Sequence, residues 1–238
     1  MNSQFIKAHP TTSAALSSLL MMMLMSAMYL AFEPVVVSGQ DATSDSFTIT
    51  QTIDDAIAFT AQPQPVSMSD SLSGLTGGAA IGSTTFSIAT NNPDGYTVRI
   101  QFADEGTGTS SGDAMINTEN SDVSIPNGPS TVSYDLDIPA INQPAAFAYT
   151  ASGDFTEQTF RSSGSDCDQS AGTATGENCW LMQGTITSPE PIMTRTESTS
   201  GSGDEGVVHF RVVVGPDPDP GLPAGTYTAT ATLTAIQL

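Results

Sequence analysis

The stretch GYTVRIQF, residues 95–102, carries the pattern on which the fold prediction depends. Its apolar side chains share one parity along the chain: Tyr96, Val98, Ile100 and Phe102. Because a strand places successive side chains on opposite faces, this alternation predicts a β-strand with one buried face. The preceding NNPDG, residues 91–95, consists of turn formers and predicts a hairpin with the run before it.

The same two-residue period recurs along most of the chain. The runs are FTITQTIDDAIAF (47–59), TTFSIAT (84–90), TVSYDLDI (131–138), AFAYTA (146–151), VVHFRVVV (207–214) and TYTATATLTA (226–235). After residue 40 we find no run with the 3.6-residue period of an amphipathic helix. This many short strands with one apolar face each predict an all-β fold, an antiparallel β-sandwich of the immunoglobulin-like or jelly-roll type.

Two of these runs raise questions of their own. In the first, Phe47, Ile49 and Ile53 share the parity of Ile57 and Phe59, which predicts one long strand or two short ones. The last run puts Tyr227, Ala229, Ala231 and Leu233 on one parity, which Ile236 and Leu238 break. We therefore expect a core-facing row there, with a bulge or a frayed tip after Thr234.

Long loops are expected between the runs, at about residues 61–83, 104–130, 151–178 and 184–206. We find neither a repeat at fixed spacing nor a change in composition that marks a domain boundary. The prediction is one β-sandwich domain over residues 40–238, with these loops as insertions.

An uncharged apolar run from Ala14 to Phe32 follows Lys7 and precedes Glu33. This order is typical of a secretory signal peptide, and the run is also just long enough for a membrane anchor. Residues 1–39 are therefore expected to form a signal or anchor helix. Both alternatives export residues 40–238 to the cell surface or the medium, with membrane contact only through the N-terminal segment.

The chain is strongly acidic, with a formal net charge of −20 from 25 acidic and five basic residues. Such a surface repels nucleic acid and anionic lipid, so neither is expected as a partner. A solvated acidic surface also favours solubility and is compatible with salty surroundings.

Cys167 and Cys179 are the only cysteines, and a Gly-, Ser- and Thr-rich segment separates them. In an exported chain, this pair predicts a disulfide that closes a local loop. Trp180, the only tryptophan, follows directly. It is expected to pack over one end of the core, with a platform for a sugar ligand as the alternative.

Groups that support catalysis are scarce. His209 is the only histidine after residue 40, and it lies on the polar parity of its strand, as a solvated side chain would. The sequence has no GxSxG, HExxH or phosphate-loop motif. We therefore predict that the protein is not an enzyme.

Structural calcium is the one cofactor that the carboxylates suggest. Acidic pairs lie beside turns or strand ends: Asp104 and Glu105, Asp204 and Glu205, and Asp217 and Asp219. Ca²⁺ prefers clustered oxygen ligands, but none of these pairs has the spacing of an EF-hand. Acidic turn residues without a bound metal are the alternative.

TNNPDGYTVRI (90–100) and LPAGTYTATATLTA (222–235) resemble bacterial cell-surface and secreted β-sandwich proteins of the WxL-like and pilin-like group. Trp180 and Leu181 are adjacent, which departs from the WxL pattern. The resemblance implies a surface location and a structural or adhesive role without catalysis, with other surface proteins or glycans as partners. A carbohydrate-binding module and a filament subunit that pairs through a terminal strand are the alternatives.

Overall fold

The computed structural model describes residues 18, 20–26, 46–136, 144–181, 188–219 and 221–238. The chain divides into two units, Met1–Gln51 and Thr52–Leu238. In the first unit, residues 20–26 are helical with exposed side chains. Most of the predicted signal or anchor segment, residues 1–39, lies outside the described residues. Within the described part, we find no helix that is long and apolar enough to cross a membrane.

The second unit is built from β-strands of two to 13 residues. They are β1 (Ile57–Ala61), β2 (Gly78–Thr90), β3 (Tyr96–Phe102), β4 (Met115–Asn117), β5 (Ser124–Ile125), β6 (Ser133–Tyr134), β7 (Ala145–Ser152), β8 (Cys179–Trp180), β9 (Glu190–Arg195), β10 (Asp204–Val214), β11 (Tyr227–Thr228) and β12 (Ala231–Gln237). Single 3₁₀ turns lie at Gly108–Ser110 and Gln158–Phe160.

The strands form antiparallel sheets, which confirms the all-β prediction. The largest sheet has the order β1-β2-β10-β7, and a second has the order β12-β3-β9. Smaller sheets have the orders β11-β4-β5 and β6-β8. The two main sheets meet through aromatic rings, because Phe102 of β3 contacts Phe147, Tyr149 and Phe210 of the largest sheet at centroid distances of 5.6, 5.5 and 6.5 Å.

The hairpin prediction for NNPDG is wrong, because β2 and β3 lie in different sheets. The segment crosses between the sheets and is held by the buried side chain of Asn92. That side chain accepts a hydrogen bond from the Asp94 N–H at 3.1 Å and donates to the carbonyls of Gly95 and Leu238. Gly95 has a φ of +87°, and a Cβ there would collide with the Arg195 carbonyl.

Two of the predicted loops contain strands. Residues 184–206 include β9, and residues 104–130 include β4 and β5. β9 has the sequence EPIMTR, in which a proline interrupts the strand pattern and Ile192 and Met193 are both buried. Without alternation, the two-residue period did not reveal it.

The C-terminal prediction needs a correction at each end. Ala231 is exposed, and β11 and β12 pair with different strands, β4 and β3. β12 continues to Gln237 in unbroken register with β3, so the expected bulge after Thr234 is absent from this strand. Ile236 is 46% exposed because its side chain lies on the outer face of β12, with those of Thr232 and Thr234. In TVSYDLDI, Ile138 lies outside the described residues, and β6 covers only Ser133–Tyr134.

Candidate functional site

Residues 46–56, called the apolar segment below, expose large apolar side chains directly before β1. Phe47, Ile49 and Ile53 are 85%, 83% and 80% exposed. The structure describes every residue from 46 to 56, and none of them belongs to a helix or strand. The prediction of a strand over residues 47–56 is therefore wrong for the isolated chain. The alternation of apolar residues on which the prediction was based is nevertheless present in the sequence.

The C-terminal end of the apolar segment is fixed by Asn91. Its side-chain oxygen accepts a hydrogen bond from the Ala56 N–H at 2.6 Å, and its amide donates to the Asp54 carbonyl at 3.0 Å. The Asn91 N–H also donates to the Ala56 carbonyl at 3.3 Å. The path by which the chain enters β1 is therefore set by three hydrogen bonds with Asn91 and by a fourth, which the Thr90 hydroxyl donates to the Ala56 carbonyl at 2.7 Å.

The edges of the two main sheets differ in what covers them. On β7, the N–H of Phe147 donates to the Pro126 carbonyl, and Tyr149 exchanges two hydrogen bonds with Leu181. On β9, the Ile192 carbonyl accepts from Glu157 and the Thr194 N–H donates to Phe155. Within the described ranges, no strand or bridge pairs with the outer edges of β1 and β12.

The cysteines form the predicted disulfide, Cys167–Cys179, with a Cα–Cα distance of 5.6 Å. Trp180 is 3% exposed, and its indole N–H donates to the Glu177 carbonyl at 2.7 Å. The Arg211 guanidinium lies 5.7 Å from the ring centroid. A ring enclosed in this way packs in the core, as one alternative predicted, and offers no open face on which a sugar could stack.

His209 is half-buried rather than solvated. Its Nε2 shares a hydrogen bond of 2.9 Å with the Ser152 hydroxyl, and Gly176 lies against the ring so closely that a Cβ would collide with it. Burial lowers the pKa of His209, and the nearby Glu177 carboxylate opposes that shift. The hydrogen bond between Ser152 and His209 is the one that a nucleophile makes with its general base, but the loop closed by the disulfide covers the His209 ring.

A polar network joins the two main sheets at Asp204, which sequence reasoning considered only as a calcium ligand. The Tyr96 hydroxyl donates to one Asp204 oxygen at 2.9 Å, and Arg195 donates to the other at 2.7 Å. Arg195 also lies 4.6 Å from the Phe155 ring centroid and pairs with Glu197 at 3.2 Å. Burial, together with Asp204, raises the pKa of Tyr96. Arg195 already supplies the counter-charge of Asp204, so the carboxylate is engaged in joining the sheets.

The other proposed calcium ligands are Asp104, Glu105, Glu205, Asp217 and Asp219, and hydrogen bonds within the protein engage the first two. Asp104 accepts from the Gly112 N–H, and Glu105 accepts from the Thr230 hydroxyl. Asp217 lies in a turn with a φ of +52°. Among the described residues, no three His, Cys, Asp or Glu side chains form a group that could hold a metal ion. The structure therefore adds no support for the calcium hypothesis.

A shallow depression of about 430 Å³ lies between residues 111–113 and 126–130. Its one carboxylate, Asp113, accepts hydrogen bonds from the Ser124 hydroxyl and the Asn127 N–H. The Asn127 side chain in turn binds Ala114 and Gly112. The polar groups of the depression are used to hold the loops together, so it is a weaker candidate than the apolar segment.

Comparison of the sequence with known protein families finds no match, and comparison with curated proteins finds no relative. The function must therefore be argued from the structure. The sequence signal for the apolar segment was present: a row of period-two apolar residues, with the acidic pair Asp54 and Asp55 between it and β1. What sequence reasoning lacked was the exposure of that row.

Proposed function

We propose that this chain is an exported, non-enzymatic structural protein of the cell surface whose copies associate through the apolar segment. The observation that carries the proposal is the exposure of Phe47, Ile49 and Ile53 at alternate positions. Soluble proteins rarely leave several large apolar side chains together in water unless another surface covers them. A row with this period is suited to β-pairing rather than to a helical contact.

The disulfide supports the location, because Cys167–Cys179 is expected to persist in an oxidising compartment outside the cytoplasm. The sequence order of residues 1–39 supports export in the same way. We infer a sandwich of the immunoglobulin-like or jelly-roll type, in keeping with two main antiparallel sheets that meet through an aromatic core.

The absence of catalysis is part of the proposal. The Ser152–His209 pair is the best candidate for chemistry, and the loop around Gly176 lies directly against the imidazole. A general base must reach the substrate from which it takes a proton, and this ring is held against the protein instead. Partners are therefore proposed to be protein surfaces, above all further copies of the chain.

The charge of −20 gives the association a distinct dependence on salt. Copies of a strongly acidic protein repel one another, and salt screens that repulsion over a distance of about 10 Å at 0.1 M. Apolar contacts are not weakened by screening. Association is therefore expected to strengthen as the salt concentration rises, opposite to the behaviour of a complex held by ion pairs.

Light scattering coupled to size-exclusion chromatography tests the proposal on the exported protein at several salt concentrations. The wild type is expected to form oligomers or filaments, and a variant with Phe47→Ser, Ile49→Ser and Ile53→Ser to remain monomeric. A double variant, Leu75→Ser and Ile81→Ser, is the matched control, because these side chains are also exposed but lie outside the segment. A wild type that stays monomeric at high concentration and high salt contradicts the proposal.

A further inference from the structure

We propose that residues 174–177, called the strap below, form a cover over His209 that acid releases. The strap lies against the neutral imidazole, and uptake of a proton by His209 lifts the strap while the rest of the fold stays closed. This inference does not rest on the association of copies, because all the groups that it uses lie in the second unit.

The imidazole of His209 is enclosed between β7 and the strap. Its Nε2 shares a hydrogen bond of 2.9 Å with the hydroxyl of Ser152, the last residue of β7. Gly176 is buried against the ring, and a Cβ at this position would collide with Nε2 and Cδ2. Thr175 forms an antiparallel bridge with Ser152, so the strap follows β7 at this point. The strap therefore occupies the space from which water would otherwise hydrate this side of the ring.

Both ends of the strap are anchored to the rest of the protein. Before the strap, Thr173 exchanges two hydrogen bonds with Ser162, at 2.9 and 3.0 Å. After it, the Asn178 carbonyl accepts a hydrogen bond from the Asp135 N–H at 2.7 Å. Cys179, the next residue, is held by the disulfide. These anchors confine a local movement to the strap itself.

The strap buries little apolar surface of its own. Thr175 and Glu177 are exposed, and Ala174 is half-buried. Gly176 is buried but has no side chain. The Trp180 indole N–H donates to the Glu177 carbonyl at 2.7 Å, and this bond breaks when the strap lifts. Segments with few buried apolar contacts open at low free-energy cost while the core stays folded, so the strap can lift by itself.

Burial, rather than a neighbouring charge, determines which form of His209 the closed strap favours. The neighbouring strands place Ser83 of β2 and Thr150 of β7 opposite His209, and neither side chain carries a charge. Arg211 lies two residues along β10, on the same face. Burial lowers the pKa of His209, and Glu177 of the strap, which favours the charged ring, offsets this shift only in part.

Proton uptake and lifting of the strap are therefore coupled. The neutral ring packs against Gly176, whereas the imidazolium needs water that the closed strap excludes. Lifting hydrates the charge, so the protonated ring favours the lifted strap. The strap is expected to be closed above about pH 6.5 and to lift as the pH falls through the lowered pKa of His209.

The fluorescence of Trp180, the only tryptophan, reports the position of the strap. In the exported protein, dilute and at low salt, acrylamide quenching is measured between about pH 7.5 and about pH 4.5, while NMR follows the His209 ring. Quenching is expected to increase about twofold or more in one step, at the midpoint of the His209 titration. Far-UV circular dichroism is expected to stay constant through that step.

Three substitutions identify the groups responsible for the step. His209→Gln is expected to abolish it. Glu177→Gln is expected to move the midpoint to lower pH, because the carboxylate that favours the imidazolium is removed. Glu119→Gln removes the same charge from an exposed position between β4 and β5, and this matched control is expected to leave the midpoint unchanged.

Gly176→Ala provides a second test if His209→Gln fails to fold. The added Cβ collides with the imidazole, so quenching of Trp180 at about pH 7.5 is expected to be near the acid value of the wild type already. A Gly176→Ala protein with the neutral-pH quenching of the wild type would contradict the proposal.

The outcomes separate this inference from the proposed function. A quenching step that persists in His209→Gln overturns the strap, and so does a titration of His209 that leaves Trp180 unchanged. Loss of secondary structure in the same step would mean global unfolding instead of a local movement, and it also overturns the strap. Failure of the copies to associate would overturn the proposed function and leave the strap in place.

Discussion

On the side of the two main sheets where β7 and β9 form the edges, other parts of the chain pair with the edge strands, and a disulfide closes the loop that lies beside β7. On the β1 and β12 side, within the described residues, no strand or bridge pairs with the outer edges, although β1 and β12 lie close to each other. The segment that precedes β1 in the chain exposes large apolar side chains. The covered side includes Leu181, Phe155 and the Cys167–Cys179 bond. The covered side therefore contributes most to the stability of the fold, whereas the open side and the apolar segment are the parts on which the proposed association depends. Substitutions on the two sides should therefore differ in how strongly they destabilise the fold.

Removing the disulfide is expected to have the largest effect on stability. The bond closes a loop with a sequence separation of 12, and its loss increases the entropy of the unfolded chain. For Cys167→Ser with Cys179→Ser, we expect the free energy of unfolding to fall by about 3 kcal/mol in the chain-entropy model. Urea unfolding of the oxidised and variant proteins measures this difference. An effect under about 0.5 kcal/mol would mean that the covered side does not depend on the bond.

Breaking the network at Asp204 is expected to have the next largest effect. The mostly buried Asp204 binds both Tyr96 and Arg195, so Asp204→Asn leaves the Arg195 charge without its inner partner. We expect a loss of about 2 kcal/mol in the free energy of unfolding, because the mostly buried Arg195 then keeps only its ion pair with the exposed Glu197. Glu197→Gln is the control, since Glu197 is exposed and its pair with Arg195 is worth less than about 1 kcal/mol. Equal losses in the two variants would contradict this account.

Acid is expected to weaken the covered side through His209, by a smaller amount. Burial lowers the pKa of His209 below its usual value of 6.5, so the folded protein holds the neutral ring while the unfolded chain takes up a proton first. The contribution is therefore complete above about pH 6.5 and is lost as the pH falls below it. Denaturant unfolding at about pH 7.5 and about pH 5.5 measures the loss. His209→Gln is expected to show a smaller loss than the wild type over this range, and an identical loss in the two would rule His209 out as its source.

The sequence predicted the strands with clear alternation well, and it predicted their connections poorly. Alternation in β3 and β10 reports a local property, the burial of one face, and both strands lie where the pattern placed them. The alternation pattern did not predict β9, because both of its central residues are buried and a proline interrupts the pattern. The sequence also did not predict that NNPDG connects two different sheets, because turn-forming residues do not reveal whether the strands on either side of them share a sheet. The disulfide was predicted from the only two cysteines of a chain that is expected to be exported.

The candidate site was predicted only in part, for a physical reason. The row of Phe47, Ile49 and Ile53 has the pattern of a half-buried strand, and a sequence does not say whether the burying surface belongs to the same chain. Asp204 was considered as a metal ligand because its neighbours in sequence are acidic. Its partners in the fold, Tyr96 and Arg195, lie 108 and nine residues away along the chain, in strands β3 and β9 of the other main sheet, and no local pattern joins them to it.

The smallest expected effect on stability comes from the open side, and it is the sharpest test of the division between the two sides. Phe47→Ser, Ile49→Ser and Ile53→Ser remove three large apolar side chains that are at least 80% exposed, so the isolated fold loses almost no buried area. In dilute, low-salt solution, where the proposed association is weakest, we expect the free energy of unfolding to change by less than about 0.5 kcal/mol.

At high concentration and high salt the two proteins should diverge. Association stabilises only the chain that associates, so the melting temperature of the wild type is expected to rise with concentration while that of the variant stays constant. Thermal unfolding over a dilution series in both salt conditions measures this. A large loss of stability in the dilute variant would show instead that the segment supports its own fold. The open side would then be an unrecognised part of the core rather than a surface for a second copy.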